Sequence, residues 1–215
     1  MSSLAGHPFF AALYDRLMAS TERAGLEQKR REIVARARGR ALELGAGTGL
    51  NLAHYPPELT ELVLAEPDPH MAKRLREKVA KERSRRVEVI SAAAEELPFE
   101  DASFDTVVGT LVLCSVDRPV QALAEARRVL VPDGSLLFIE HVRSERPRLA
   151  RWQDRLERPW GWFAAGCHPN RDTDAAIAAA GFRIEQLDRG ELPKAPAIAR
   201  PLISGLAVRP GGEGL

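Results

Sequence analysis

The sequence predicts an α/β fold: a mostly parallel sheet, helices on both faces, and an antiparallel hairpin at the C-terminal edge. Three observations lead there. From Arg40 to Val142 short apolar runs alternate with amphipathic stretches, the pattern of strand–helix–strand units. A glycine-rich turn, Gly45-Ala46-Gly47-Thr48-Gly49, follows the first apolar run directly. The last two runs, at 182–187 and 202–208, are joined by a proline-rich connection with no helical stretch between them.

The elements follow in order. Over 8–38 the apolar residues Phe9, Phe10, Leu13, Leu17, Leu26, Ile33 and Val34 recur near helical spacing, which predicts two helices in front of the core. Residues 40–44 and 62–65 read as strands. Between them, 48–55 suits a short helix that Pro56-Pro57 stops. Met71, Leu75 and Val79 stand four apart, giving a helix over 68–83 with Asp68 placed to cap it. Strands are expected at 87–90, 104–111 and 135–142. A helix at 119–130 precedes the last of these, with Pro132-Asp133-Gly134 as a tight turn between them. A further helix covers 173–180, ended by Gly181.

The 215 residues are 45% hydrophobic, enough for one sizeable core. They predict a single domain: an N-terminal helical segment (1–38), a core (39–209) and a frayed tail (210–215). The formal net charge is +1 with both signs interspersed, which argues against a nucleic-acid partner. No basic start followed by an apolar run opens the chain, and no stretch has the length of an integral membrane segment. A cytoplasmic location is expected. Peripheral membrane contact stays open, and the oligomeric state is not legible. Cys114 and Cys167 have no CxxC partner or clustered histidines, so no metal site is expected and two reduced thiols are.

The chemistry centres on Glu43-Leu44-Gly45-Ala46-Gly47-Thr48-Gly49. Glycines let the backbone turn sharply and let a ligand approach the main chain. A dinucleotide fingerprint would need glycine at position 50, which is Leu50. The GxGxG spacing instead favours S-adenosyl-L-methionine, whose amino-acid head group can face Glu43 and the backbone of Gly45, Ala46, Gly47 and Gly49. Glu66, some twenty residues on and followed by Pro67, ends the second strand, where an acid can bind the two ribose hydroxyls. The small residues of 92–94, with Ala94-Glu95 at their end, leave room for adenine.

With these residues in place, the chain resembles the small-molecule methyltransferases built on a seven-stranded Rossmann-like domain. The resemblance runs from about Arg38 to Val142, through the turn, the acid, "AEELPFEDASFD" and "FDTVVGTLVLCSV". It implies that Ala94-Glu95 lie by the adenine and Thr110-Leu111 near the methionine end. "TLVLCSV", "IEHV", Trp152, Pro159-Trp160, Gly166-Cys167, Arg171-Asp172-Thr173 and Ala180-Gly181-Phe182 look like the mammalian methyltransferase-like thiol S-methyltransferases. Asn51 and His54-Tyr55-Pro56-Pro57 fit that subgroup as well. Those proteins start with a hydrophobic membrane-associating segment that the sequence lacks, so membrane residence and substrate range do not transfer.

A sulfonium is already a good leaving group, so the expected task is to hold the acceptor in line and exclude water. A small apolar acceptor is expected, a thiol first. N-methylation of a lipid head group, O- or C-methylation of a quinone-like molecule, and a cofactor-binding regulator without turnover are the alternatives. His141, at the C-terminal end of the fifth strand, is the candidate proton acceptor; a histidine that hydrogen-bonds backbone and shapes the pocket is an equal reading. Tyr14, Cys114, Trp152, Cys167 and His168 are candidate acceptor-pocket residues. The aromatic set Trp152, Trp160, Trp162 and Phe163 either walls an acceptor site or packs a helix on the sheet. The N-terminal helices, with Phe9, Phe10 and Tyr14, are a candidate lid.

Overall fold

A computed structural model describes residues 8–82, 85–164, 166–192 and 194–211. The side chains of residues 8–13 and 17 fall outside it, and with them the expectations for Phe9, Phe10, Leu13 and Leu17. Residues 212–215 of the tail also lie outside the described residues.

Seven strands form one sheet: β1 (Arg40–Leu44), β2 (Glu61–Ala65), β3 (Val87–Ile90), β4 (Phe104–Thr110), β5 (Leu130–His141), β6 (Arg183–Glu191) and β7 (Pro201–Val208). Their order is β3-β2-β1-β4-β5-β7-β6. The first five pair in parallel, while β7 pairs antiparallel with both β5 and β6. The order reverses between β1 and β4, and the crevice above their C-terminal ends is where open α/β sheets bind ligands.

Helices cover both faces. On one, α4 (Pro119–Val129) and α6 (Thr173–Ala179) meet a core of Leu42, Val63, Val107, Phe138 and Ile203. On the other, α2 (Glu27–Val34) and α3 (Pro69–Val79) cover Ala41, Leu64, Val108, Leu137 and Ile139. Strands buried on both sides explain the near-continuous apolar runs. Asp68 caps α3 as expected, its carboxylate accepting from the backbone N–H groups of His70 and Met71.

Two local expectations change, and the expected pair of N-terminal helices is present with a kink between its members. Residues 48–55 form only a single 3-10 turn, Leu52–His54, because Pro56 and Pro57 leave no room for a longer ladder. The two N-terminal helices, α1 (Pro8–Thr21) and α2, are joined through a π-helical turn kinked at Gly25, φ +134°. The tight turn at Pro132-Asp133-Gly134 lies inside β5 as a bulge. The register with β4 shifts there, Asp133 adopts φ +62°, and Arg209 closes the bulge by exchanging backbone hydrogen bonds with Asp133 and Gly134.

Candidate active site

β1 delivers its end directly into the glycine turn. Gly45, Gly47 and Gly49 have φ of +57°, +57° and +80°, which side chains disfavour. A Cβ on Gly45 would strike Val112 at 2.5 Å, and one on Gly49 would strike Leu75 at 2.7 Å. A Cβ on Gly47 would meet nothing closer than 4.0 Å. The space beside Gly47 is thus open to a ligand, while its two neighbours are glycine for packing as well as for conformation.

Two buried carboxylates flank the turn. Glu66 follows β2, and its Oε2 accepts from the Gly47 N–H at 2.7 Å while Oε1 accepts from the Asp68 N–H at 2.8 Å. Burial raises its pKa against those donors. Glu43 accepts from Asn51 Nδ2 and from the Tyr55 hydroxyl, both at 2.8 Å. Burial raises it to about 7.

The same network reaches the N-terminal helices. Arg30 of α2 donates through Nη1 to Asn51 Oδ1 at 3.0 Å and to Thr110 Oγ1 at 2.9 Å, and through Nε to Glu22 at 3.0 Å. Thr110 also accepts from Asn51 at 2.9 Å. Asp15 of α1 accepts from the Thr48 hydroxyl at 2.5 Å and pairs with Lys78 of α3 at 3.3 Å. Both helices are therefore fastened to residues of the glycine turn or its sequel. Tyr14 joins this group: burial raises its pKa, and Arg30, Glu22, Cys114 and Asp15 are its charged or ionisable neighbours.

β4 ends at Thr110, and Leu111 turns the chain sharply with φ +57°. Glu140 of β5 holds the loop that follows. Fully buried, it accepts from the N–H groups of Val112 and Leu113 through Oε1 at 3.0 and 2.9 Å, and from Cys114 N–H through Oε2 at 3.1 Å. Burial raises its pKa, and these donors bring it back only to about 7.

Cys114 and Cys167 are free, buried thiols with sulfurs 3.8 Å apart. The neighbouring thiol and burial both push Cys114 up, keeping it protonated. His168 donates its backbone N–H to the Cys114 carbonyl at 2.7 Å, and its Nδ1 meets Glu157 at 2.8 Å. The loop after β4 and the loop at 166–168 thus form one wall, to which Arg171 adds a bond to the Leu113 carbonyl. On the adenine side of the expected site, Ala94 packs in the core while Glu95 is buried and accepts from the Arg118 N–H at 3.2 Å. Pro67, half-buried, follows Glu66 into the α3 cap.

Of the remaining candidates, Trp152 is exposed and His141 is buried. Trp152, expected in the acceptor pocket, is 54% exposed on α5 (Pro147–Phe163), because the buried side of that helix is taken by Ala150 and Gln153. Trp162 and Phe163 are exposed too, so these three do not pack the helix on the sheet, while Trp160 is half-buried. His141 is buried against the backbone near Ala199 and Pro201, burial lowers its pKa to about 4, and its Nδ1 has no partner among the described residues. No hydrogen bond joins it to Cys114 or Glu43 among the described residues.

Sequence reasoning missed Arg30, Asp15 and Glu140. A signal existed for two of them. Arg30 falls four residues after Leu26 and three before Ile33, on the apolar face of its helix, and Glu140 directly follows the apolar run 136–139 inside the expected strand. A charge in such a place must find partners. Asp15 carried no such mark. Among the described residues, no group of histidine, cysteine and carboxylate side chains could hold a metal ion.

Comparison with known proteins agrees with this geometry. The family model for a methyltransferase domain matches residues 42–138. Thiol S-methyltransferase TMT1B of Homo sapiens is 36% identical over 195 residues, 86% of this chain and 80% of that protein. Phosphatidylethanolamine N-methyltransferase of Cereibacter sphaeroides is 30% identical over 157 residues, 71% of this chain and 76% of that one. A solved SAM-dependent methyltransferase from Aquifex aeolicus superposes with a TM-score of 0.67 at 18% identity, covering 94% of this chain and 98% of that one, a likeness of fold. The open turn at Gly47 and the buried acid at Glu66 fit S-adenosylmethionine, and the chain belongs to the class I, Rossmann-like S-adenosylmethionine-dependent methyltransferases, in the family that includes the thiol S-methyltransferases.

Proposed function

We propose that the enzyme methylates small apolar thiols. The observation that carries this reading is the similarity to a thiol S-methyltransferase over 86% of the chain, which extends well beyond the matched methyltransferase domain. The wall formed by Leu111, Val112, Cys114 and Cys167 supports it: Val112 and both cysteines are buried, and Cys114 is held neutral. Such a lining suits an apolar acceptor better than a charged one.

S-adenosylmethionine, when bound, supplies a methyl group activated by its sulfonium. The chain's own residues then bind and position. Glu66 exchanges its backbone partners, the Gly47 and Asp68 N–H groups, for the two ribose hydroxyls. Glu43, Asn51 and the backbone of Gly45, Ala46 and Gly47 face the amino-acid head group, and Ala94-Glu95 border the adenine. Thr110 and Leu111 stand toward the methionine end. Tyr14, Cys114, Cys167 and His168 enclose the acceptor side.

Proton removal needs little help. A thiol of ordinary pKa, about 8.5, is partly ionised at neutral pH. A His141 ring held near 4 has little driving force to take that proton, which favours its reading as a packed, neutral histidine. A panel of alkyl thiols, phosphatidylethanolamine and quinone precursors with labelled cofactor tests the assignment. Methyl thioethers should form; label entering only the lipid or the quinone precursor would contradict it.

A further inference from the structure

The aromatic residues of α5 serve no purpose in the site described above, yet they dominate the exposed apolar surface. Among the described residues the exposed large hydrophobics are Val120, Trp152, Trp162 and Phe163, at 74%, 54%, 79% and 72%. Three of these four share one helix. Exposing so much aromatic surface on a single element marks an interaction face.

The helix has two distinct sides. Its inner side is anchored by Gln153, whose Nε2 donates to the carbonyls of Val142, Pro169 and Ile198. Its outer side follows the 4-3-4-3 spacing of one helix face through Arg148, Trp152, Arg155, Pro159 and Trp162, all exposed. Arg151 and Arg158, also exposed, flank that line. Among the described residues none of these four arginines forms an ion pair; Arg155 instead stacks over the Trp152 ring at 5.9 Å. The acids of the helix are engaged elsewhere, Asp154 with Arg143 and Glu157 with His168. The outer face is therefore cationic as well as aromatic.

We infer that this face of α5 docks on an anionic lipid surface. Unpaired arginines interleaved with exposed tryptophan and phenylalanine match anionic head groups on the charge side and the head-group boundary on the aromatic side. The orientation has a consequence for the site. Gly166 N–H donates to the Gly161 carbonyl, Cys167 N–H to the Ala164 carbonyl, and His168 N–H to the Cys114 carbonyl. The aromatic tip at Trp162-Phe163 is thus joined within a few residues to the acceptor wall, so docking would set that wall beside the lipid.

Co-sedimentation of the full chain with phosphatidylglycerol–phosphatidylcholine vesicles, with tryptophan emission read in parallel, tests this. Binding should blue-shift the emission, weaken steeply with salt and be much weaker on pure phosphatidylcholine. Replacing Arg148, Arg151, Arg155 and Arg158 by Gln, or Trp162 and Phe163 by Ala, should weaken it at least about ten-fold while cofactor affinity stays unchanged. Absence of binding to anionic vesicles would overturn the inference, as would equal binding by both variants. A concentration-dependent dimer that the Trp162→Ala/Phe163→Ala variant abolishes, without vesicle binding, would assign the face to a second copy instead.

Discussion

At the scale of single residues the site is organised by three buried acids that do different things. Glu66 touches the open turn, Glu43 anchors a side-chain network, and Glu140 gathers three backbone donors of the loop after β4. Glu43 lies near 7 because burial disfavours its charge, so it takes up a proton as the pH falls below that value. A ligand carrying a sulfonium and an ammonium group favours the carboxylate. Cofactor affinity should therefore tighten as the pH rises through about 7 and level off above it. Calorimetry across that window should give this slope in the native protein and a flat profile in Glu43→Gln. In the ligand-free protein the sign is opposite. A folded pKa raised above the unfolded value means that the contribution of Glu43 and Glu140 to stability is full below about 4.5 and is lost as the pH rises toward 7. Glu140→Gln exchanges an acceptor for a donor facing backbone N–H groups. Turnover should fall about ten- to a hundred-fold as the loop loses its geometry, with cofactor affinity little changed; equal loss in both would show that the loop is part of the cofactor site.

At the scale of elements, the N-terminal helices are held to the site by two fastenings of different strength. The Arg30–Glu22 pair is buried, with side chains 4% and 12% exposed, and also serves Asn51 and Thr110. Arg30→Ala leaves those acceptors unmatched and should cost about 3 kcal/mol of stability, seen as a melting point roughly 6–12 °C lower. The Asp15 fastening is half-exposed and should contribute under about 1 kcal/mol. Its loss in Asp15→Ala should leave melting nearly unchanged while weakening cofactor binding several-fold, because Thr48 of the turn loses its tie to α1. Unchanged affinity would mean that α1 is not a lid. The strands, the α3 cap and the glycine turn were legible in the sequence because each depends on local pattern: an apolar run, an Asp before a proline, a glycine spacing. The kink at Gly25, the bulge within β5 and the outward face of α5 were not, since each depends on what the segment packs against. Trp152 shows why. An aromatic residue at helical spacing reads as core until the buried side of the helix is seen to be occupied by Gln153 and its three carbonyl partners.

At the scale of the whole molecule, a parallel sheet that reverses between β1 and β4 brings the strand ends carrying Glu43, Glu66, Thr110 and Glu140 to one edge. Alternating strands and helices made the sheet predictable; the order of its strands required the structure. In the proposed reading, backbone and the buried acids at the ends of β1 and β2, with Thr110 of β4, hold the cofactor, whereas two loops joined through Cys114, Cys167 and His168 wall the acceptor side. No helix among the described residues is long and apolar enough to cross a membrane. The central claim, direct transfer to a thiol that ionises without a protein base, is tested most directly by the pH dependence of kcat/KM for methyl thioether formation with a series of thiols of different acidity. The rate should rise with pH through the pKa of each acceptor thiol in turn. A profile fixed at one pKa whatever the thiol, or no thioether at any pH, would contradict it.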